Sequence, residues 1–413
     1  MSGDSARSAD IAIVGGGLVG ASLALALAGS RHRVALIESI RPGSEEQPSF
    51  DERTTALGNG SRRILQTLGA WASMAPLAGL IRDIHISDAG RFGFARLNAA
   101  TQDLEAFGYV VPNRVIGAAL WQRLGQLPGL DTYMPMQVTG AEFSGASAHL
   151  ELSSVDAGRT ALSARLVIAA DGAGSAVRAA AGIGAEAHSY GQVAVVANVA
   201  SDRRATGIAY ERFTPTGPLA VLPLADGTYT VVWSLAPERA AQLLASDAPT
   251  YLAELQRCFG WRIGRLTQLG RRVSYPLALT RAAALSAVRC VLVGNAAQSL
   301  HPVAGQGFNL GLRDAASLAE VLAAAEDPGA PAVLESYEQG RSADRKGMIE
   351  FTDTLVRLFA SQRPGIAGAR NAGLLLFDLL PPAKRALSQL SWGFGGGGGR
   401  LMRGLKAGQR GVT

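Results

Sequence analysis

The sequence predicts a mixed α/β (α+β) fold in two interleaved domains, one on a parallel sheet and one on an antiparallel sheet, followed by a helical C-terminal segment. Three observations point there. Strand-turn-helix patterns stand at both ends of the chain, near 10–38 and 289–325. Between them, from about 190 to 280, apolar and polar residues alternate most strongly. The 413 residues suffice for two or three domains, and 48% hydrophobic with only 17% charged residues excludes a disordered chain. Glycine supplies 50 of the 413 positions, well above the usual ~7%, so many backbone sites need positive φ or a close approach to something.

Taken in order, residues 10–14 (DIAIV) form a short apolar strand, GGGLVG a turn, 18–29 a helix rich in Ala and Leu, and 33–38 (RVALIE) a second strand. The stretch from Ile11 to Gly29, with Arg7 ahead of it, resembles a secretory leader in hydropathy, but its glycines favour a βαβ unit. Residues 59–69 read as a helix, 81–97 as strands about the turn Asp88-Ala89-Gly90, and 114–126 as a helix ending near Pro128 and Gly129. Short strands fill 130–170 and close with RLVIAADG, a buried strand running into a glycine turn. The segments VAVVANVA, PLAVLPL and TYTVVWSL mark the sheet-rich insertion. RCVLVGNAA (289–297) returns to a buried strand, and helices follow over 309–325 and 331–360. The expected division is therefore 1–80, 99–188 and 280–370 for the parallel-sheet domain and 81–98 with 189–279 for the other. Residues 371–413 remain as an apolar segment (AGLLLFDLLPP) and a loose tail with five glycines at 395–399.

The net charge of +6 comes from 39 basic residues, of which only Lys346, Lys384 and Lys406 are lysines, and they form no run of five. Nucleic-acid binding is not expected from such scattered arginine. Cys258 and Cys290 have no metal-ligand spacing around them, so neither a metal site nor a disulfide framework is expected, and a reducing cytosol fits. No segment offers ~18 uninterrupted apolar residues, so no membrane-spanning helix is expected.

Gly15-x-Gly17-x-x-Gly20 follows a strand and opens a helix, the Rossmann-like arrangement. Its first glycine makes the turn, its second lets backbone approach a pyrophosphate, and its third lets helix and strand pack closely. Glu38 ends the next strand, 18 residues after Gly20, where an acid holds a ribose hydroxyl and repels a 2′-phosphate, favouring FAD or NAD over NADP. Asp171-Gly172 ends another buried strand, with Arg178 in the following helix suited to a further contact with phosphates or a hydride donor. The run GNAAQSLHPVAGQGFNLGLRDA, Gly294 to Ala315, is the least ordinary. Pro302-x-x-Gly305-x-Gly307 ends a loop at a helix start, whose free N–H groups and positive dipole end suit an anionic reduced flavin.

Together with Asp51-Glu52-Arg53-Thr54-Thr55-Ala56-Leu57, these motifs, in this order over residues 11–315, resemble the class A flavin-dependent aromatic hydroxylases and, within them, the ubiquinone-biosynthesis branch. The resemblance implies a para-hydroxybenzoate-hydroxylase-like fold with a Rossmann-like FAD-binding domain and a substrate domain on the antiparallel sheet. It further implies that FAD, reduced by NAD(P)H, reacts with O₂ to a C4a-hydroperoxide and hydroxylates the phenol ring of a polyprenylated precursor. By the same resemblance Gly15, Gly17, Gly20 and Glu38 hold the ADP half, with Asp171 and Gly172 as a further contact. Arg53 lies near the pyrophosphate or the isoalloxazine, and Gly294 and Asn295 meet the ribityl chain. Pro302, Gly305, Gln306 and Gly307 line the flavin ring, and Asn309 is a further cofactor-binding residue. Most relatives carry Gly-Asp where this chain has Gly294-Asn295; Asn still accepts the hydrogen bond, with one negative charge fewer. Either Asn113 or Arg114 faces the flavin. His301, beside Pro302, reads as structural rather than as a base, and Tyr210, Arg212 and Phe213 are the candidate phenol contacts.

A prenylated substrate implies an apolar tunnel, a ubiquinone-biosynthesis complex as partner, and a cytoplasmic protein with peripheral contact at the inner membrane. For that contact the segment Gly373 to Trp392 is the candidate. Two other readings stay open at this point: a hydroxylase of a small soluble aromatic, and a flavin-binding scaffold of a biosynthetic assembly without turnover.

Overall fold

The computed structural model of the chain describes residues 7–44, 53–156, 158–301, 305–360, 368, 373, 376–378, 380 and 399–406. At its centre the strand Arg7–Val14 runs parallel to Gly158–Ala169 on one side and Val34–Ile37 on the other, with Cys290–Leu292 and Asp131–Tyr133 as the outer parallel strands. Parallel strands covered on both faces become continuous apolar runs, and Ile11, Ala12, Ile13, Val167 and Ile168 are fully buried. Register pairs Val14 with both Ile37 and Ala169, so three carboxyl ends finish level. Gly15, Glu38 and Asp171 consequently leave the sheet at one edge, where open α/β sheets bind their ligands.

The helix Leu18–Leu27 follows the first strand, and every residue from Gly20 to Leu27 is buried. A helix apolar all round belongs inside a protein. The leader-like stretch of the sequence is thus the interior of the first domain. Antiparallel strands Gln137–Phe143 and Ala148–Ser154 extend this sheet from Gly158–Ala169.

The second sheet runs in the order Gln298–Ser299, Leu266–Ala282, Ala185–Ser201, Tyr229–Leu235, Gly217–Pro223, Ile208–Thr214, Asp83–Asp88 and Phe94–Asn98. The expected antiparallel layer contains one parallel joint, Asp83–Asp88 against Ile208–Thr214, because that strand arrives from a distant part of the chain. The alternation from 190 to 280 also conceals two helices, Pro237–Ala245 and Ala248–Phe259. Pro237 at the first turn and Asp247, whose carboxylate accepts from Thr250 N–H at 2.9 Å, start them. They cover the outer face of this sheet, gathering Leu243, Tyr251, Leu255 and Phe259 into one apolar cluster with Trp233.

The helices Gln306–Ala324 and Pro331–Ala360 are joined by buried ion pairs. Asp314, fully buried, accepts from Arg341 Nε and from Gln298 Nε2, while Arg313 Nε donates to Asp344 at 2.9 Å. The Arg-Asp that ends the late motif therefore fixes the motif helix to its neighbour. The tail expected to be loose is not so where it is described. Leu401 and Met402 are buried, and Thr67 Oγ1 donates to Leu401 O at 2.8 Å, because two large apolar side chains reach the core past the glycine run. Among the described residues, no helix is long and apolar enough to cross a membrane.

Candidate active site

A cavity of about 1490 Å³ separates the two sheets, and both the opening turn and the late glycine motif line it. Its first wall is made of backbone. Gly15 has φ +103°, and a Cβ there would stand 2.5 Å from Ala170 O. Gly17 caps the helix, leaving that helix's first N–H groups without intrahelical partners. Gly20 does not line the cavity; a Cβ on it would run into Gly15 O, so its role is to seat the helix on the turn. Glu38 Oε2 accepts from Gly16 N–H at 2.6 Å and Oε1 from Ile40 N–H at 2.9 Å. Gly16, which falls on a variable position of the motif, is held from its other side by Trp121 Nε1–H donating to Gly16 O at 3.0 Å. Only the neighbouring bulk of Trp121 and Glu38 marks that glycine, and the spacing of the motif does not contain it.

Asp171 also lines this wall. One carboxylate oxygen accepts from Val177 N–H at 3.3 Å, and the other is buried without a hydrogen-bond partner. Arg178 turns away from the cavity, correcting the expected phosphate contact. Its guanidinium donates to Ala173 O and Ala296 O, each at 2.9 Å, and so ties two loops together. Asn295 lines the cavity, whereas the buried Gly294, at φ +59°, leaves room for Val19.

Gly305 sits in the left-handed region at φ +61° and caps the helix Gln306–Ala324, so that Gly305, Gln306 and Gly307 all border the cavity. Pro302 lies outside the described residues, as do Asp51 and Glu52. Asn309, expected to bind the cofactor, does not line the cavity. Its amide oxygen accepts from Gly58 N–H and Ser61 Oγ, its amide nitrogen donates to Ala56 O and Gly305 O, and it ties the helix entrance to the strand Thr54–Gly58. Of the pair at the start of the helix Asn113–Leu124, Asn113 lines the cavity and accepts from Thr55 Oγ1 at 2.8 Å, while Arg114 is exposed. Arg53 lines the cavity with its guanidinium over the Tyr275 ring, 4.4 Å from the centroid. His301 is buried behind the wall, edge-on to Tyr190 at 5.1 Å, and burial holds its pKa down at about 4.

The second wall is made of side chains on the inner face of the large sheet. Ala194, Val196, Val232, Ala220, Leu222 and Ile86 are apolar. Period-two alternation puts Ala209, Glu211 and Phe213 on this face of Ile208–Thr214. Tyr210 touches the cavity edge, but its ring packs behind the sheet against Phe259 at 5.4 Å. Arg212 is also behind it, donating to Cys258 O at 2.9 Å, so the expected phenol contact is a strut for the helix Ala248–Phe259. Phe213 does line the cavity. Between these candidates stands Glu211, which the sequence reading passed over: one carboxyl oxygen is buried without a hydrogen bond, and burial raises its pKa to about 7.

The first wall suits a long, hydroxylated diphosphate. Two helix N-termini face it, the orphaned Asp171 oxygen seeks a donor, and open space lies where Gly172 and Gly307 carry no Cβ. A profile of the FAD-binding domain family matches residues 8–352. The chain belongs to that family. It is 39% identical over 414 residues to ubiquinone hydroxylase UbiL of Rhodospirillum rubrum, covering 98% of this chain and 95% of the relative. It is 35% identical to 3-demethoxyubiquinol 3-hydroxylase of Escherichia coli, covering 91% and 96%. Among solved structures, p-nitrophenol 4-monooxygenase PnpA of Pseudomonas putida superposes with a TM-score of 0.77 at 21% identity, covering 92% of this chain and 97% of that one. The chain is an FAD-dependent aromatic monooxygenase in the ubiquinone-hydroxylase branch of the family.

Proposed function

We propose that this monooxygenase hydroxylates the ring of a polyprenylated phenol, a ubiquinone precursor, taking electrons from NAD(P)H and one oxygen atom from O₂. The observation that carries the reading is the single cavity with two unlike walls, glycine backbone on one side and an apolar sheet on the other. Its volume exceeds the ~300–1,000 Å³ of a pocket for one small ligand, which suits a dinucleotide and an apolar substrate together. When bound, FAD supplies the oxygen-activating chemistry. The chain's own part is to hold it. Gly15, Gly17 and Glu38 serve the ADP half, Arg53, Asp171 and Asn295 the middle, and Gly305, Gln306 and Gly307 the ring end, while the sheet wall excludes water from the ring being oxidised.

The prenyl tail leaves past Phe351, Leu355 and Phe377, which border the same cavity. Leu376 and Leu380 beside that exit are 59% and 45% exposed, suiting peripheral contact with a bilayer from which such a substrate is drawn. The segment Gly373 to Trp392, expected to make this contact, falls largely outside the described residues.

The test is NAD(P)H oxidation and product mass for one phenol carrying no tail, a short prenyl tail and a long one. The expected result is stoichiometric gain of one oxygen, with kcat/KM rising with tail length. Equal coupling on untailed phenols would replace the reading by a hydroxylase of small aromatics. No oxygen gain on any of the phenols, with NAD(P)H present, would instead favour a scaffold without turnover.

A further inference from the structure

We propose that Glu211 holds the substrate's phenol hydroxyl and accepts its proton. The inference deepens the reading above and rests on it.

The cavity-facing row of the large sheet at this level is set by register. Glu211 pairs with Ala220 and Ile86, Ala220 with Val232, and Val232 with Val196. A carboxyl thus sits in a row of alkyl side chains, with one oxygen buried and without a hydrogen bond. Burying a polar group without a partner costs free energy, and burying a charge costs more. Its polar strand neighbours offer no relief: Tyr210 is turned to Phe259, and Arg212 to Cys258 O. A core that served packing alone is better filled by Leu or Met at this position. A phenol ring lying on the apolar row presents the missing donor, its O–H, to the orphaned oxygen.

The proton balance is simple. The carboxylate takes the phenolic proton and becomes a carboxylic acid. The O–H electron pair stays on the substrate oxygen and delocalises into the ring, enriching the carbon to be hydroxylated, and the acid later returns the proton to the product's oxygen. Burial, the only cause of the raised pKa, keeps the group protonatable near neutral pH, the range in which a general base works well.

The test compares the FAD-loaded wild type with Glu211→Gln and Glu211→Leu, using a short-chain prenylphenol and its methyl ether. Binding is read from the flavin absorbance, phenolate formation from the ultraviolet difference spectrum, and turnover from product mass. For the wild type, the expected result is at least tenfold tighter binding of the phenol than of the ether, with a phenolate signal. In Glu211→Gln the signal disappears and kcat falls about 100-fold or more, within the range of general-base catalysis, while KM changes a few-fold. Glu211→Leu loses the preference for phenol over ether. FAD stoichiometry and melting temperature report folding in both variants. A phenolate signal and kcat unchanged in Glu211→Gln overturn the assignment and leave the proposed function standing. A wild type that hydroxylates no phenol overturns both.

Discussion

The two walls of the cavity are built by different means. On the side proposed for FAD, much of the surface is backbone, with side chains absent where they would intrude: Gly15, Gly17, Gly305 and Gly307 line the space alongside Arg53, Asp171 and Asn295. On the sheet side the surface is side chains, mostly apolar, with the carboxyl of Glu211 set among alkyl groups. Recognition through backbone constrains residue type strictly, because only glycine tolerates the conformation or the approach. Recognition through an apolar surface accepts many residues of similar volume. The first wall is therefore intolerant of small changes, and the second responds mainly at its buried carboxyl.

The largest effect is expected from Gly20→Val. Its side chain meets the Gly15 carbonyl, a backbone atom that cannot move without the turn. Expression should give aggregated or colourless protein, against a yellow wild type; a folded, yellow variant would break the claim that the first wall is backbone-built.

Next comes Asp314→Ala, which leaves Arg341 and Gln298 without their buried partner. Breaking a buried ion pair costs about 3–5 kcal/mol, so denaturant unfolding should show a loss of that order, together with weaker FAD retention, because the same helix presents Gly305 and Gln306. Unchanged retention would show that the helix entrance holds its place without the ion network.

A smaller effect, of opposite sign, is expected at the sheet wall. The Glu211 carboxyl has its pKa raised by burial from the ordinary 4.5 to about 7 in the folded chain. Ionisation therefore disfavours folding, by nothing below pH 4.5 and by an amount that grows through pH 7 and then levels off. The ceiling is roughly 3 kcal/mol, from 1.36 kcal/mol per pKa unit. The groups nearest in register do not alter this. Tyr210, paired with His85, and Arg212 belong to the opposite face, and Asp88 on the neighbouring strand stands 3.9 Å from Arg91. Glu211→Gln should melt higher than wild type at pH 8, with the gap closing at pH 4.5. A pH-independent gap would mean that the carboxyl is solvated.

The smallest effect is expected from Arg212→Met, which removes a hydrogen bond to Cys258 O behind the sheet. It should cost about 1–3 kcal/mol of stability and leave kcat/KM within a few-fold. A loss of activity as large as that of Glu211→Gln would return Arg212 to the substrate.

How much was legible in the sequence follows the same division. Gly15, Gly17, Glu38 and the Gly305-Gln306-Gly307 turn were readable as members of one site because a glycine turn between strand and helix is a distinctive local pattern, and the structure brings them to one cavity. Asn309 and Arg178 were readable as parts of motifs but not in their roles, since a side chain that ties two segments is indistinguishable from one that reaches a ligand until the partners are located. Glu211 was not legible at all. A lone acid in an alternating strand has the pattern of a solvated face, and only the sheet packed in front of it turns that face inward. Likewise the strong alternation from 190 to 280 hid the helices Pro237–Ala245 and Ala248–Phe259, although Pro237 and Asp247 marked their starts.

The most direct measurement is turnover under ¹⁸O₂ with a long-tailed prenylphenol and NAD(P)H, followed by mass spectrometry of the quinol product. One labelled oxygen on the ring per NAD(P)H consumed is the expected result, since both walls then serve one reaction in one cavity. Label found in peroxide or water, with the phenol recovered unchanged, would contradict it.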